Sequence, residues 1–388
     1  MIKALIFDFD GLIMDTETPE VEAWQAVYAQ YGQEFPLDAW VRDVVGSTAS
    51  NLDPAAHLAD LTGLDLDLPA LHARVSSKRL EIQAGLPALL GVTEMVKTAQ
   101  RLRLCLGIAS SSKHDWVDKY LRQLQLFDLF DVVICREDVE QSKPAPDLFL
   151  AVLKALNVAP QEAVAFEDSP NGILAARRAG IRVVAVPNPT TANGTIGEAD
   201  LLLPSLSSMP LKHMLEFVNS GVRTETPADI PGVRLVEEAA FGRSAEADLV
   251  DLCRDRGRVT LSLVALREKQ VVGHVLFTAV TLDPLHPGWF GVGLGPVAVL
   301  PECQHQGIGS RLIEFGLELC RQQGADFCVL LGDPRYYSRF GFIPASEFGL
   351  GNEYGAHEEF QARELKPGVL RGAKGVVKYV PEFRETGC

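Results

Sequence analysis

Asp8 and Asp10 stand two residues apart at the end of the apolar run Ala4-Leu5-Ile6-Phe7. If the chain stays extended there, side chains two residues apart leave the same face, and both carboxylates can reach one small group. An aspartate pair after a strand commonly serves a turn or a helix cap. The pattern gains chemical meaning from its company. Ser110 follows the apolar run 104–109, Lys143 lies in Ser142-Lys143-Pro144-Ala145-Pro146-Asp147, and Glu167-Asp168 follows the apolar run 163–166. Acids gathered on one edge repel one another unless a cation joins them. Hard oxygen ligands favour Mg²⁺, which binds through one or two carboxylates plus a phosphate. The set suits phosphoryl transfer. One carboxylate attacks phosphorus, a lysine and a metal neutralise developing charge, and a second acid protonates the leaving group.

A second constellation lies far along the chain. Gly295-Pro296-Val297-Ala298-Val299-Leu300-Pro301 ends a strand pattern, and Gln304-His305-Gln306-Gly307-Ile308-Gly309 opens a helix. Glycines at such a turn let the backbone approach a ligand closely. The free amides of a helix start cradle a pyrophosphate. The glycine pattern alone is common. The amphipathic stretch 310–321 and the later Tyr337-Ser338-Arg339-Phe340-Gly341-Phe342 give it context.

The elements that must position these groups differ between the two halves. Short apolar runs at 4–7, 104–109, 132–135, 163–166 and 183–186 alternate with helix-length segments, which predicts a parallel sheet covered by helices. In such sheets ligands bind at the carboxyl ends of the strands. Residues 16–83 break the alternation and read as helices, clearest at 21–31 and 68–82, forming a cap over that edge. The domain boundary is placed at 218/219, after a helix pattern at 211–218. Beyond it come strand patterns at 260–266, 271–281, 293–299 and 327–331 and a helix at 307–323.

With 388 residues, two domains are the default. The net charge of −15 divides into −11 before residue 220 and −4 after it. Neither half has the basic excess of a nucleic-acid or anionic-membrane partner. Seven cysteines without C-x-x-C spacing read as free thiols of a reducing compartment. No apolar run reaches membrane-spanning length, and the expectation is a cytoplasmic protein with no membrane partner.

The first constellation resembles the haloacid dehalogenase superfamily over roughly residues 1–218, in the branch of beta-phosphoglucomutase-like phosphatases with a helical cap. The segments carrying the resemblance are Leu5 through Glu17, Ala109-Ser110-Ser111-Ser112-Lys113, the Lys143 segment and Phe166-Glu167-Asp168-Ser169. The resemblance implies a Rossmann-like fold, Asp8 as nucleophile and Asp10 as general acid and base. It implies Mg²⁺ held by Asp8, the Asp10 carbonyl and Asp168, with Glu167 supporting, and Ser110 and Lys143 on the phosphoryl oxygens. Glu20 stands where mutases of this branch resemble a histidine pattern, and Gly46-Ser47-Thr48-Ala49-Ser50 offers no arginine for a second phosphate. Hydrolysis of a small phosphorylated metabolite is therefore expected, with a sugar phosphomutase as the alternative. Lys78 and Arg79 are open as cap-side contacts.

Residues 222–388 resemble the GNAT acetyltransferases, with Leu331-Gly332-Asp333-Pro334 preceding the tyrosine. That resemblance implies an α+β domain with a mixed, mostly antiparallel sheet, acetyl-CoA as cofactor and an amine acceptor. The pantetheine arm would pair with the backbone at Val297 and Val299. The pyrophosphate would meet the amides of Gln304, His305, Gln306, Gly307, Ile308, Gly309 and Ser310. Tyr337 would be the acid for the leaving thiolate. Glu237, Glu238, Glu302 and His274 are open as general base, and residues 286–290 as a border of the acceptor site. An acyl-CoA-sensing regulatory domain is the alternative. A metabolite phosphorylated at one end and aminated at the other would give the fusion meaning.

Overall fold

A computed structural model describes residues 2–46, 52–83, 85–192 and 199–388. The stretch Ser47-Thr48-Ala49-Ser50 lies outside the described residues. The chain divides into two compact units, Met1–Glu216 and Phe217–Cys388.

In the first unit, strands β1 (Ala4–Phe7), β2 (Cys105–Ala109), β3 (Val132–Ile134), β4 (Ala163–Glu167), β5 (Arg182–Ala185) and β6 (Leu201–Leu202) form one parallel sheet, ordered β3-β2-β1-β4-β5-β6. Every residue of β1 and β4 is buried, as expected for strands covered on both faces. Phe7 stacks on Phe166 of the neighbouring strand at 4.8 Å between ring centroids. The strand order reverses between β1 and β4, so the carboxyl ends of these two strands border the crevice where ligands of such sheets bind. Helices α1 (Glu17–Gln30), α2 (Leu37–Asp43), α3 (Pro54–Thr62) and α4 (Leu68–Gln83) follow β1. They carry a core of their own, built on Trp24, Tyr28, Trp40, Leu58 and Val75. The sheet is flanked by α5 (Val92–Arg101), α6 (His114–Gln123), α7 (Asp147–Leu156) and α8 (Pro170–Arg178). Ser169 starts α8 by accepting the Gly172 N–H at 3.1 Å. The division between units falls within α9 (Leu211–Asn219).

The second unit begins with β7 (Val222–Thr224), α10 (Ile230–Phe241) and α11 (Ala245–Asp255). Its central strands are β8 (Val259–Arg267), β9 (Gln270–Asp283) and β10 (Gly291–Val299). Helix α12 (Ile308–Gln322), β11 (Phe327–Leu331) and the one-turn α13 (Pro334–Tyr337) follow. The short strands β12 (Ile343–Pro344), β13 (Leu350–Asn352), β14 (Phe360–Glu364) and β15 (Gly375–Lys378) complete the sheet. Pairing is antiparallel except at β10–β11 and β13–β15. The β10–β11 ladder covers Gly291–Gly293 only. Beyond it, Leu294–Val299 has β9 on one side and, among the described residues, no strand on the other. All seven cysteines are free, and no described helix is long and apolar enough to cross a membrane.

Candidate active sites

At the carboxyl end of β1, Asp8 is 4% exposed and its Oδ1 meets the Lys143 Nζ at 2.5 Å. The same ammonium lies 2.7 Å from Oε1 of Glu167, the last residue of β4. Asp8, Glu167 and Asp168 bring carboxylate oxygens within 4.8 Å of one another, all buried. Asp168 Oδ2 accepts from Asn188 Nδ2 at 2.7 Å, while its buried Oδ1 has no partner among the described residues. Two glycines make room. A Cβ on Gly11, whose φ is +74°, would lie 2.3 Å from Asp168 Oδ2, and one on Gly172 would lie 2.0 Å from Glu167 Oε2.

The electrostatics follow from burial and crowding. Burial lifts Asp8 to about 8, the neighbouring Glu167 and Asp10 add to the rise, and Lys143 pulls against it. Asp168 is raised for the same reason, with Asp8 and Glu167 as the nearby like charges. Burial opposes the charge of Lys143, but Asp8 and Glu167 outweigh it and hold the ammonium above its ordinary range. Three carboxylates with one ammonium leave this pocket short of positive charge. An unpartnered oxygen on Asp168 then fits a divalent cation with oxygen ligands.

Asp10 is held differently. Its Oδ1 accepts from Thr16 Oγ1 at 2.8 Å and from the Trp116 indole at 2.9 Å. Its Oδ2 accepts from Ser112 Oγ at 2.6 Å and from Ser110 Oγ at 3.4 Å. Ser110 also accepts the Ser112 amide at 3.0 Å. Asp8 and Asp10 both border a cavity of about 270 Å³, together with Glu17, Glu20, Arg79 and Trp116. Arg79 binds Glu20 at 2.7 Å and lies 5.5 Å from the Trp116 ring centroid. Lys78 is exposed and pairs with Glu81 instead. Sequence reasoning missed Thr16, Ser112, Trp116 and Asn188. For Trp116 a signal existed. It opens a helix just after a strand end, beside the stripe Val117, Tyr120 and Leu121 that buries the helix.

In the second unit, the unpaired edge of β10 borders a cavity of about 640 Å³. Val297, Val299, Gln304, His305, Gly307, Ile308, Gly309 and Ser310 line it, with Tyr336, Tyr337 and Arg339 opposite. Gly307, at φ +78°, caps α12, and the first intrahelical bond runs from Arg311 N–H to Gly307. The amides of the first helical turn are therefore free for a ligand. Gln306 does not line the cavity: its Oε1 accepts from Arg267 at 2.6 Å. The Gln304 amide bonds to Pro301 O at 3.3 Å within the turn. Tyr337 packs on Gly332, where a Cβ would meet the ring at 2.3 Å, and burial pushes its hydroxyl up to about 12. Tyr337 and Val297 also border a further cavity of about 280 Å³.

The base candidates lie elsewhere. His274 and Glu237 are fully buried and bonded to each other at 2.5 Å. Glu238 pairs with Arg234 at 2.9 Å. None of these three, nor Glu302, lines either cavity. Residues 286–290, open as a border of the acceptor site, are not among the residues lining either cavity. Trp289 stacks on His286 and packs edge-on against Phe327.

Known proteins share both halves. The haloacid dehalogenase-like hydrolase family matches residues 5–186, and the GNAT acetyltransferase domain matches residues 259–344. YhcW of Bacillus subtilis, whose name calls it a phosphatase, is 43% identical over 223 residues, covering 57% of this chain and 99% of that protein. The validoxylamine A 7'-phosphate phosphatase of Streptomyces hygroscopicus subsp. limoneus is 32% identical over 214 residues, 55% of this chain and 99% of its own. The N-acetyltransferase YhbS of Escherichia coli is 37% identical over 164 residues, 42% of this chain and 97% of its own. The chain thus belongs to the haloacid dehalogenase-like hydrolases through its first unit and to the GNAT N-acetyltransferases through its second. It joins an enzyme of each family in one polypeptide.

Proposed function

We propose that the chain hydrolyses a small phosphomonoester through an aspartyl-phosphate and transfers an acetyl group from acetyl-CoA to an amine. The observation that supports the first activity best is the placement of Asp8 beside Lys143 and the Glu167–Asp168 pair, lining a cavity that Asp10 also borders. Asp8, Asp168 and Glu167 would hold Mg²⁺, which supplies charge neutralisation for a phosphoryl group. The Asp8 carboxylate attacks phosphorus and the bond to the leaving oxygen breaks. Asp10 gives that oxygen a proton. Asp10 then takes a proton from water as the water attacks phosphorus, releasing inorganic phosphate and restoring Asp8. Lys143 keeps its charge throughout, held up by its two acidic neighbours. Among the described residues lining the cavity, Arg79 is the one cation, and Glu20 already occupies it. A second phosphate would find no free cation among the described lining residues, which favours hydrolysis over a mutase.

In the second unit, the unpaired β10 edge and the free amides of α12 suit the pantetheine and pyrophosphate of acetyl-CoA. The amine nitrogen attacks the thioester carbonyl and the carbon–sulfur bond breaks. Tyr337 protonates the departing sulfur. The nitrogen loses a proton to solvent and Tyr337 regains one, leaving an amide and free CoA. A cytoplasmic setting is consistent with the free thiols.

Phosphate release from a panel of phosphorylated metabolites, with Mg²⁺ and with EDTA, tests the first activity. Magnesium-dependent release that Asp8→Asn abolishes, by roughly 10³-fold or more, supports it. Release that survives EDTA or Asp8→Asn rejects the mechanism. Calorimetric titration with acetyl-CoA tests the second activity, and binding without transfer to any amine would mark a sensor.

A further inference from the structure

The 280 Å³ cavity beyond Tyr337 has a lining unlike the phosphatase cavity. Aromatic rings dominate it: Phe241 from the end of α10, Tyr354, Tyr379 and Phe383, with Tyr337 at the inner end. Tyr379 sits 6.0 Å from Tyr354 and 5.1 Å from Phe383 between ring centroids, so three of the rings form one continuous wall. Its ring packs on Gly293, where a Cβ would lie 2.6 Å from Cε1.

Charge is scarce here. Glu246 is the one carboxylate side chain among the lining residues, and Arg243 already holds it, Nε to Oε2 at 3.0 Å. Glu246 is 6% exposed, so the pair closes on itself at the cavity rim. A ligand carrying a phosphate would enter without a free counter-charge, and burying an unpaired anion is costly. A polycation such as spermidine would meet only one acidic side chain, already neutralised.

One polar group does wait for a ligand. Tyr379 is 8% exposed and its hydroxyl has no hydrogen-bond partner among the described residues. Buried hydroxyls of tyrosine ordinarily find one. The ring lines the cavity, and a bound molecule whose polar atom reaches that hydroxyl supplies the partner.

We infer that the acetyl acceptor is a primary amine on an aromatic or compact apolar scaffold, seated against the Tyr354–Tyr379–Phe383 wall and hydrogen-bonded to Tyr379. This rests on the acetyltransferase reading and names the substrate class of its second cavity. Ring faces suit both an arene and an amine cation. The inference also separates the two units chemically. An amino-sugar phosphate, hydrophilic and anionic, does not suit the second cavity.

The test uses the full chain with acetyl-CoA and four acceptors: phenylethylamine, tryptamine, spermidine and glucosamine 6-phosphate. Acetylated product is read by mass spectrometry, and acetyl-CoA binding by calorimetry in parallel. The expected result is a kcat/KM for the two aromatic amines at least about tenfold above the other two. Phe241→Ala, at a partly exposed ring, raises the KM for tryptamine about tenfold with acetyl-CoA affinity unchanged. Tyr379→Phe lowers kcat/KM for the aromatic amines by about tenfold through the lost hydrogen bond. Intact acetyl-CoA binding with preference for spermidine or the amino-sugar phosphate, or with no transfer to the aromatic amines, overturns the inference alone. Loss of acetyl-CoA binding altogether overturns the acetyltransferase reading and the inference with it.

Discussion

The indole Nε1 of Trp116 donates to Oδ1 of Asp10 at 2.9 Å. Trp116 opens α6 and Asp10 follows β1, so the bond ties the proposed acid to the helix after β2. It aims one carboxylate oxygen while Ser112 holds the other. Trp116→Phe keeps the ring against Tyr120 and removes only the donor. We expect kcat for phosphate release to fall roughly 10-fold to 100-fold with KM little changed, because orientation of the acid matters in the transition state. Steady-state kinetics of the two proteins on one substrate check this. A change confined to KM would show that Trp116 contacts the leaving group instead.

Glu167 sits under the first turn of α8, accepting the Asp168 amide at 3.2 Å and the Ser169 hydroxyl at 3.3 Å. Only a glycine at 172 leaves that carboxylate its place. Gly172→Ala must push Glu167 off Lys143. The expected cost is about 1–3 kcal/mol of stability, as in other overpacked sites. Phosphatase activity should drop further than stability alone explains, because Lys143 loses one of its two acidic partners. Thermal unfolding and kcat measured side by side separate the effects. A variant with full activity would exclude Glu167 as a support of the site.

The sequence exposed the first site well because its chemistry sits at strand ends. Five apolar runs separated by helix-length segments marked the parallel sheet; Asp8, Asp10, Ser110 and Glu167-Asp168 follow one of them, and Lys143 lies just before the helix start at Asp147. The two-residue β6 and the late strands β12 to β15 carried no comparable signal. β6, β12 and β13 are only two or three residues long, and β14 and β15, no shorter than β1, mix polar or glycine positions into their apolar ones and so lack its continuous apolar run. The donors around Asp10 were hidden for another reason. Thr16, Ser112 and Trp116 lie 6, 102 and 106 residues away, and only the folded chain brings them together. Glu237 and His274, two of the four residues open as general base, are buried and bonded to each other. Burial, which decides between catalyst and core, was not legible at single positions in α10 and β9.

The buried histidine of the second unit gives that unit a pH dependence. Nδ1 of His274 faces Glu237, and Nε2 faces Ser262 Oγ at 2.9 Å, whose hydroxyl bonds to Glu225. Burial opposes the charge of the ring, but Glu225 and Glu237 outweigh it and raise its pKa above the ordinary 6.5. A raised histidine contributes stability that is whole below about pH 6.5 and is lost as pH rises through the folded value. Glu237, raised mainly by burial, weakens folding in the same direction as pH climbs past the ordinary glutamate range. Glu225, lowered by His274 and Ser262 against the opposing effect of burial, acts in the opposite sense only at acidic pH. The second unit should therefore be more stable at pH 6 than at pH 8. His274→Gln should cost about 3 kcal/mol at pH 6, because it strands buried carboxylates, and less at pH 8. Hydrogen exchange of the β8 and β9 amides, corrected for its intrinsic pH dependence, reads this directly. Equal protection at both pH values in the wild type would exclude a charged His274.

Tyr337 is the last residue of α13 and lines both cavities of the second unit. With its hydroxyl pushed up to about 12 by burial, it holds its proton across any assay from pH 6 to 10. A tyrosine that is protonated throughout can act as an acid but leaves no ionisation of its own in the rate profile. Tyr337→Phe should lower kcat for acetyl transfer by roughly 10²-fold, in the range for loss of a general acid. Acetyl-CoA affinity should hold, since Gly332 leaves room for the phenyl ring where the phenol packs. The pH profile of the residual activity should keep its shape. The comparison needs transfer rates from pH 6 to 10 and a titration of both proteins with acetyl-CoA. A variant with the wild-type rate would remove Tyr337 as the acid, and a change in acetyl-CoA affinity alone would make it a wall of the donor cavity.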